Sequence, residues 1–196
     1  MVAQDDNLTR RHSSSDGTDD REARPKLWIA AYTRPRSEKK AALELSKSGI
    51  EIYVPVQRQL RYWSDRKKLL DVVIIPMIIF AQVSVDEILA IKRHPLIINI
   101  LSIPGQNTPA HIPESQIDNL KIMLAQSETE VGFLQGNFTA KDNVIVVDGS
   151  LRGLKGKVKE VSDETTTVWV TVDLLGGAVI KLKNNILKHY HKDEQD

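Results

Sequence analysis

The chain has 196 residues, of which 41% are hydrophobic and 27% are charged, an ordinary balance with enough apolar material for one or two cores. It has no cysteine, which excludes disulfides, thiolate metal sites and cysteine nucleophiles and fits a reducing cytoplasm. The net charge is +1, yet residues 26–125 hold fourteen basic and nine acidic side chains. This cationic block indicates either a nucleic-acid partner or an ordinary solvated surface.

Residues 1–25 are polar and contain almost no large apolar side chain, which predicts a disordered tail without a signal peptide. Regular structure is expected from residue 26 onward. The first predicted elements are a strand at 26–31, a helix capped by Ser37 and closed by Gly49, a strand at 50–59, a polar hairpin tip at 61–68 and a strand at 69–83.

The run at 72–83 contains no charged side chain and is almost entirely apolar, and its β-branched residues predict a strand. Pro76 lies inside this run and donates no ladder hydrogen bond, so it indicates an edge, a bend or a bulge. The run is too short to cross a bilayer, which needs about 20 apolar residues. It is either a central core strand or, in part, an exposed apolar docking patch, because both need the same residues.

The elements that follow are a capping box at 84–87, a helix at 86–93, a strand at 97–103 and a helix at 113–125. The order β-α-β-β-α-β-α predicts an α+β fold with a split βαβ sheet. A polar linker is expected at 126–136. Short strand signals separated by turns at 137–190 predict a small β-barrel, and 191–196 form a charged tail.

Two segments resemble known domains. Residues 142–158 resemble a KOW motif, because a strand is followed by Gly149, Gly153 and Gly156 and by Lys155 and Lys157. The glycines permit positive φ angles and close backbone approach in such a loop. The N-terminal block resembles an NGN domain, because the features of that domain occur here in the same order. They are Trp28 and Tyr32, the basic helix start at 38–40, the strand with Pro76 and Phe80, and the pair Ile112-Pro113.

In this order the two domains resemble the NusG family of transcription elongation factors. The resemblance implies an NGN domain at 26–125 and an SH3-like KOW barrel at 137–190. The housekeeping pattern Phe-Pro-Gly-Tyr-x-Phe is replaced here by the sequence of residues 75–80, Ile-Pro-Met-Ile-Ile-Phe. This departure is similar to that of specialised paralogues of the RfaH and UpxY types. Such paralogues act as operon-specific antiterminators, the UpxY group on capsular polysaccharide operons.

The resemblance implies a polymerase-binding site on the first domain. In the family an apolar depression on the NGN sheet grips a coiled coil of the RNA polymerase clamp. The residues here that match its lining are Tyr32, Ile75, Ile78 and Phe80. Apolar anchors of this kind suit helix-in-groove recognition, and the alternative is that all four are plain core.

Two basic clusters are candidates for nucleic-acid binding, to the non-template DNA strand or nascent RNA. Basic side chains at the positive end of a helix repel one another, and a phosphate backbone would relieve that repulsion. Cations mixed with aromatic rings are suited to binding single-stranded nucleic acid. The helix start contributes Arg34, Arg36, Lys39 and Lys40, and the hairpin contributes Arg61, Trp63, Arg66, Lys67 and Lys68. For the hairpin the alternative is a solvated tip.

Lys155 and Lys157 share one strand face. They are expected either to contact RNA or a protein such as a ribosomal protein or termination factor, or to be merely solvated.

No pattern indicates catalysis, because the five histidines are scattered and neither a phosphate loop nor a nucleophile elbow is present. We therefore expect a non-enzymatic, monomeric, cytoplasmic protein without metal, cofactor or membrane contact. The expected function is antitermination on elongating bacterial RNA polymerase at specific, capsular-type operons. The alternatives are a general elongation factor and a KOW-containing RNA-binding or ribosome-binding protein.

Overall fold

The computed structural model describes residues 25–62, 66–135 and 142–190. The first part of the chain alternates strands and helices as the sequence predicts. In chain order its elements are β1 (Leu27–Thr33), α1 (Glu38–Ser46), β2 (Glu51–Tyr53), β3 (Val56–Tyr62), β4 (Lys67–Val73), β5 (Ile78–Val83), α2 (Ile88–Arg93), β6 (Ile97–Ile100), β7 (His111–Ile112) and α3 (Glu114–Gln126).

The remaining elements are all strands apart from one 3-10 turn at Asn184–Ile186. They are β8 (Gly132–Gln135), β9 (Asn143–Val146), β10 (Lys155–Val161), β11 (Thr165–Val172), β12 (Gly176–Lys183) and β13 (Leu187–His189). The predicted α+β class is confirmed, with helices confined to the first part and short antiparallel strands filling the second.

The first sheet has the strand order β2-β5-β1-β6, and the short β7 also pairs with β1. Its central pair, β1 and β5, is antiparallel, with Leu27 opposite Val83 and Tyr32 opposite Ile78. Because side chains alternate along a strand, β1 sends Trp28 and Ala30 into one apolar cluster and its other buried residues into a second.

Different helices cover the two faces of this sheet. The face that carries Ile29 and Ile79 packs against α1 and α2, through residues such as Leu45 and Ile91. The opposite face, which carries Phe80, packs against the apolar side of α3, formed by Ile117, Leu120, Met123 and Leu124. The predicted apolar stripe of α3 is therefore its buried side.

Each of two predicted strands is divided by a proline. The segment 50–59 separates into β2 and β3 at Pro55, and the segment 69–83 separates into β4 and β5 at Pro76. The Ile74 N–H donates to the Pro55 carbonyl (2.8 Å), so the two breaks lie side by side. Both prolines lack an N–H for the ladder. As a result β3 and β4 leave the first sheet and form a separate two-stranded ribbon.

The predicted helix caps are only partly correct. Ser37 occupies the N-cap position of α1, but its hydroxyl donates to the Pro35 carbonyl (3.4 Å) instead of capping. The Glu87 carboxylate does accept from the Ser84 N–H (2.8 Å), as a capping box requires. Residues 85–87 form a turn, however, so α2 begins at Ile88 and not at residue 86.

The second sheet has six antiparallel strands in the order β13-β9-β10-β11-β12-β8. Strand β8 lies within the segment predicted as a flexible linker, since Gly132–Gln135 pairs with β12 from Val179 to Gly176. Its residues can join the sheet because Gly176, at φ +133°, lets the two backbones approach closely. The exact domain boundaries stay a prediction.

The two sheets are joined by side-chain amides as well as by apolar packing. Gln116 and Asn119 of α3 accept hydrogen bonds from the backbone N–H groups of Asp173 (2.8 Å) and Lys155 (3.3 Å) of the second sheet. Within the described residues, no helix is both long and apolar enough to span a bilayer.

Candidate functional site

The four apolar residues matched to a docking surface lie on one face of the first sheet. Tyr32 is directly opposite Ile78 in the β1–β5 register, and Phe80 follows Ile78 on the same side of β5. Ile75 precedes the turn into β5. All four belong to, or pack against, the apolar cluster that α3 covers. The structure therefore brings them together, although their docking role stays a prediction.

These residues differ in accessibility. Phe80 is fully buried and its ring stacks on Tyr53, with the centroids 6.1 Å apart. Burial also raises the pKa of the Tyr53 hydroxyl. Tyr32 is half-buried, and Ile75 and Ile78 are buried. Phe80 thus supports the face from beneath, whereas Tyr32 is the member best placed at its surface.

A cavity of about 460 Å³ lies over this face, between the first and the second sheet. Its lining from the first sheet includes Tyr32, Ile75 and Ile78, together with the turn at 76–77. The facing wall comes from β8 and the β11–β12 turn and consists of Phe133, Gln135, Leu174 and Leu175. The second sheet therefore covers the candidate docking surface in this structure.

The cationic side chains at the start of α1 are tethered to neighbouring segments. The Arg34 Nε donates to the Pro95 carbonyl (3.0 Å), and the Lys39 Nζ donates to the Asp71 carbonyl of β4 (2.9 Å). Lys40 forms an exposed i,i+4 pair with Glu44 (3.9 Å), and Arg36 is exposed. The Lys39 contact brings the helix start next to the base of the β3–β4 ribbon, whereas the predicted hairpin residues lie toward its other end.

Within the ribbon, however, the predicted residues do not share one face. Opposed pairs of the register point to the same side, so Tyr62 and Lys67 lie on one face and Arg61 and Lys68 on the other. The Lys67 ammonium lies 5.1 Å from the centre of the Tyr62 ring. Arg66 is exposed, and Trp63 lies outside the described residues.

Arg61 is occupied by contacts within the chain. Its NH2 group donates to Gln59 Oε1 (2.7 Å), and its NH1 group lies 3.8 Å from a carboxylate oxygen of Glu130. Gln59 in turn donates to Gln57 Oε1 (3.0 Å), and Gln57 also bonds the Thr129 carbonyl and the Val131 N–H. This ladder attaches the ribbon to the segment after α3, which makes Arg61 a structural residue here.

Sequence reasoning missed the buried glutamines, which were part of an apparently ordinary strand. The signal that identifies them is their spacing, because Gln57, Gln59 and Arg61 recur with period two and so share a face. It also missed that Leu60 and Leu69, a directly opposed pair on the outer face, are largely exposed. The outer face thus combines apolar, aromatic and basic groups.

The KOW-like glycines serve two different backbone needs. Gly149 and Gly153 have φ angles of +81° and +93°, which glycine adopts without strain. At Gly156 an added Cβ would lie 2.5 Å from Val168 Cγ1 and 2.9 Å from the Trp169 carbonyl oxygen. Gly156 is therefore required for the close approach of β10 to β11.

Lys155 and Lys157 are exposed on β10 and line a cleft of about 450 Å³ between α3 and the second sheet. The Lys155 ammonium lies 5.9 Å from the centre of the Tyr190 ring. A bulge between Val158 and Glu160 interrupts the strand alternation after them. The lysines are accessible to an anionic partner, and such a partner stays a prediction.

Two family models match the chain. Residues 26–121 match a model described as transcription termination factor nusG, and residues 140–173 match the KOW motif. Together the two segments cover well over half the chain. None of the curated proteins matches its sequence.

Among solved structures, one that concerns the domain interaction in NusG from Thermotoga maritima is similar to this chain, with 17% sequence identity and a TM-score of 0.47. The match covers 85% of this chain and 98% of that one. The MjSpt4:Spt5 complex has 17% identity in its conformation A and 18% in its conformation B. Both comparisons cover 85% of this chain and all of that one, with TM-scores of 0.28.

Proposed function

We propose that this chain, whose residues 26–121 match the NusG model and whose residues 140–173 match the KOW motif, acts as a member of the NusG family: it binds elongating RNA polymerase and keeps transcription processive through pause or termination sites. Members of this family are non-enzymatic transcription factors. The proposed action is binding that favours one conformer of the polymerase over another. The face formed by Tyr32, Ile75 and Ile78, supported by Phe80, is the proposed clamp-binding surface.

The observation that carries this proposal is the pairing of Tyr32 with Ile78 on the sheet of the NusG-matched segment. This pairing aligns apolar side chains from two central strands beside a cavity of about 460 Å³. A recess of that size lined by aliphatic and aromatic groups suits the apolar ridge of a helix. The second sheet occupies its far wall, so we propose that the two sheets separate before the polymerase binds.

The start of α1 and the outer face of the β3–β4 ribbon form the proposed contact with the non-template DNA strand. Lys39 bonds the Asp71 carbonyl of β4, which places the helix start beside the base of the ribbon. On the ribbon, Lys67 and Tyr62 offer a cation beside an exposed ring. Rings and cations together suit unpaired bases and their phosphates.

A more specific role is antitermination at dedicated operons of the capsular polysaccharide type. It rests on the replacement of the housekeeping pattern by Ile-Pro-Met-Ile-Ile-Phe at 75–80. A general elongation factor is the second candidate. The exposed Lys155 and Lys157 favour a further KOW-domain contact, with RNA, a ribosomal protein or a termination factor. We propose a cytoplasmic monomer.

The decisive experiment is transcription in vitro by purified bacterial RNA polymerase, with and without the full chain. One template carries the leader of the operon that encodes this protein, and the other carries an unrelated leader. We expect read-through to rise on the first template alone. Equal effects on both templates would indicate a general factor, and no effect on either would favour the RNA-binding or ribosome-binding alternative.

Matched substitutions test the surface in the same assay. Tyr32→Glu places a charge at the half-buried docking face, whereas Leu43→Glu places the same charge at an exposed position of α1. We expect the first to abolish the gain in read-through and the second to preserve it. Circular dichroism must show both variants folded. Equal activity of the two folded variants would contradict the proposed surface.

A further inference from the structure

The turn that leads into the proposed docking surface has an unusual backbone. Met77 has a φ angle of +63°, in the left-handed region that non-glycine residues seldom occupy. The turn lies between Ile75 and Ile78, two of the three proposed docking residues that line the cavity. The orientation of these two side chains therefore depends on how Met77 is held.

Both backbone polar groups of Met77 are bonded to the first part of the chain. Its N–H donates to Glu38 Oε1 (2.7 Å), and its carbonyl accepts from the Thr33 N–H (2.8 Å). Glu38 is only 6% exposed, although it is the first residue of a helix that is otherwise solvated on its outer side. A carboxylate buried at this point needs a donor, and Met77 supplies it.

The remaining neighbours do not explain why a carboxylate is buried here. Among the basic side chains near it in sequence, Lys39 bonds the Asp71 carbonyl, Lys40 pairs with Glu44, and Arg36 is exposed to solvent. A bond from a backbone N–H to an ionised acceptor is stronger than one to a neutral acceptor. The hydrogen bond from the Met77 N–H to Glu38 Oε1 can therefore help to keep Met77 in its left-handed conformation.

We propose that Glu38 is a positioning residue for the polymerase-binding surface, because it holds Met77 in the left-handed turn that sets the directions of Ile75 and Ile78. The inference rests on the proposed function of that surface. Glu38 does not itself contact the partner. Because it lies in the first turn of α1, the same bond fixes the docking turn to the basic helix start.

The structural part of the proposal is tested on the full chain by amide hydrogen exchange, read residue by residue by NMR. Glu38→Ala should accelerate exchange of the Met77 amide by on the order of tenfold or more. Glu38→Gln, which keeps an acceptor oxygen, should accelerate it less. The matched control is Glu87→Ala, which removes a carboxylate from another backbone N–H, that of Ser84. It should leave Met77 unchanged.

The functional part is tested by the affinity of the same variants for a purified polymerase elongation complex. We expect Glu38→Ala to weaken binding by about tenfold and Glu87→Ala to have little effect. In a Met77→Gly background the Glu38→Ala effect should shrink, because glycine adopts a positive φ unaided. A stability loss alone would leave the effect equal in both backgrounds.

Two results would overturn the inference: unchanged Met77 exchange in Glu38→Ala, or an equal loss of affinity with methionine and with glycine at position 77. Failure of the unmodified chain to bind polymerase would instead refute the proposed function. In that case the exchange data still show whether Glu38 holds the turn, so the two failures are distinguishable.

Discussion

At the scale of single residues, the second sheet requires glycine at positions where a side chain would collide with the neighbouring strand. Gly156 lies against the Trp169 carbonyl and Val168, and Gly177 lies against the Trp169 ring. Backbone atoms cannot move aside as a flexible side chain does, so a methyl group at Gly156 must displace a strand. A lysine-flanked glycine in this motif is thus required by packing, independently of any partner.

We predict that Gly156→Ala lowers the free energy of unfolding by about 1–3 kcal/mol, the usual cost of overpacking. The matched control is Gly132→Ala, whose added Cβ would meet only Val179 Cγ2 at 3.1 Å. That substitution should cost clearly less. Urea unfolding followed by tryptophan fluorescence measures both, and an equal cost would show that β10 can shift without penalty.

Glu87 makes stability depend on pH. Its pKa is lowered by the hydrogen bond from the Ser84 N–H and, to a smaller extent, by Lys26. A carboxyl whose folded pKa is depressed stabilises the fold above its unfolded pKa of about 4.3. This contribution is lost as the pH falls through the folded pKa.

We therefore expect Glu87→Gln to be less stable than the unmodified chain at pH 7, and the difference to vanish as the pH falls below about 4. Urea titrations at several pH values measure it. A difference that persists unchanged in acid would mean that packing, not charge, explains the effect. Glu51→Gln, at an exposed glutamate on β2, is the control.

At the scale of elements, the β3–β4 ribbon has two faces with different tasks. Its inner face carries the glutamine ladder that ends at Arg61 and Glu130, whereas its outer face carries Tyr62 and Lys67. Strand alternation separates cations that are adjacent in the sequence. Arg61 on the inner face is held by Gln59 and Glu130, whereas Lys67 on the outer face lies against the Tyr62 ring.

We predict that Lys67→Ala weakens binding to single-stranded DNA and reduces the slope of log affinity against log salt by about 0.7, the value for one lost phosphate contact. Arg61→Ala should change this slope little but should lower stability, since it breaks the ladder. Fluorescence anisotropy over a salt series measures the slopes. Equal slopes for the two variants would contradict the division of faces.

At the scale of the whole molecule, the proposed docking face lies beneath the second sheet, so the proposed function requires an equilibrium between packed and separated sheets. If only the separated form binds polymerase, the apparent dissociation constant rises in proportion to the packed fraction. The hydrogen bond from the Asp173 N–H to Gln116 is one of the contacts that favour packing. Holding this contact permanently should prevent binding.

Because the chain has no cysteine, introduced cysteines are the only thiols available for cross-linking. The pair Gln116→Cys and Asp173→Cys, joined by a short bismaleimide, should lose polymerase binding by tenfold or more, on the order expected for a packed form with little exchange. The same double variant without the reagent should bind at least as well as the unmodified chain, because it lacks the Gln116 acceptor that favours packing. Full binding by the cross-linked chain would show that the packed form is itself competent.

The sequence by itself determined most strand and helix positions, since the alternation of apolar residues is a local property, although β8 was expected to be a linker and Ser37 does not cap its helix. It predicted the buried stripe of α3 at Ile117, Leu120 and Leu124, and Glu87 reaching back to Ser84. The sequence also contained the motifs by which the NusG-like and KOW segments were predicted. Turn glycines such as Gly149 could also be predicted, because a positive φ angle depends only on the residue and its immediate neighbours.

Tertiary structure alone decided what depends on distant parts of the chain. The splitting of two strands at Pro55 and Pro76, the pairing of Gln57 with residues 129–131 and the bond from Met77 to Glu38 join segments far apart in sequence. Composition cannot separate an apolar docking face from a core, since both bury the same side chains. Whether Tyr32 and Ile78 are exposed is set by where the second sheet packs, and no local pattern encodes that.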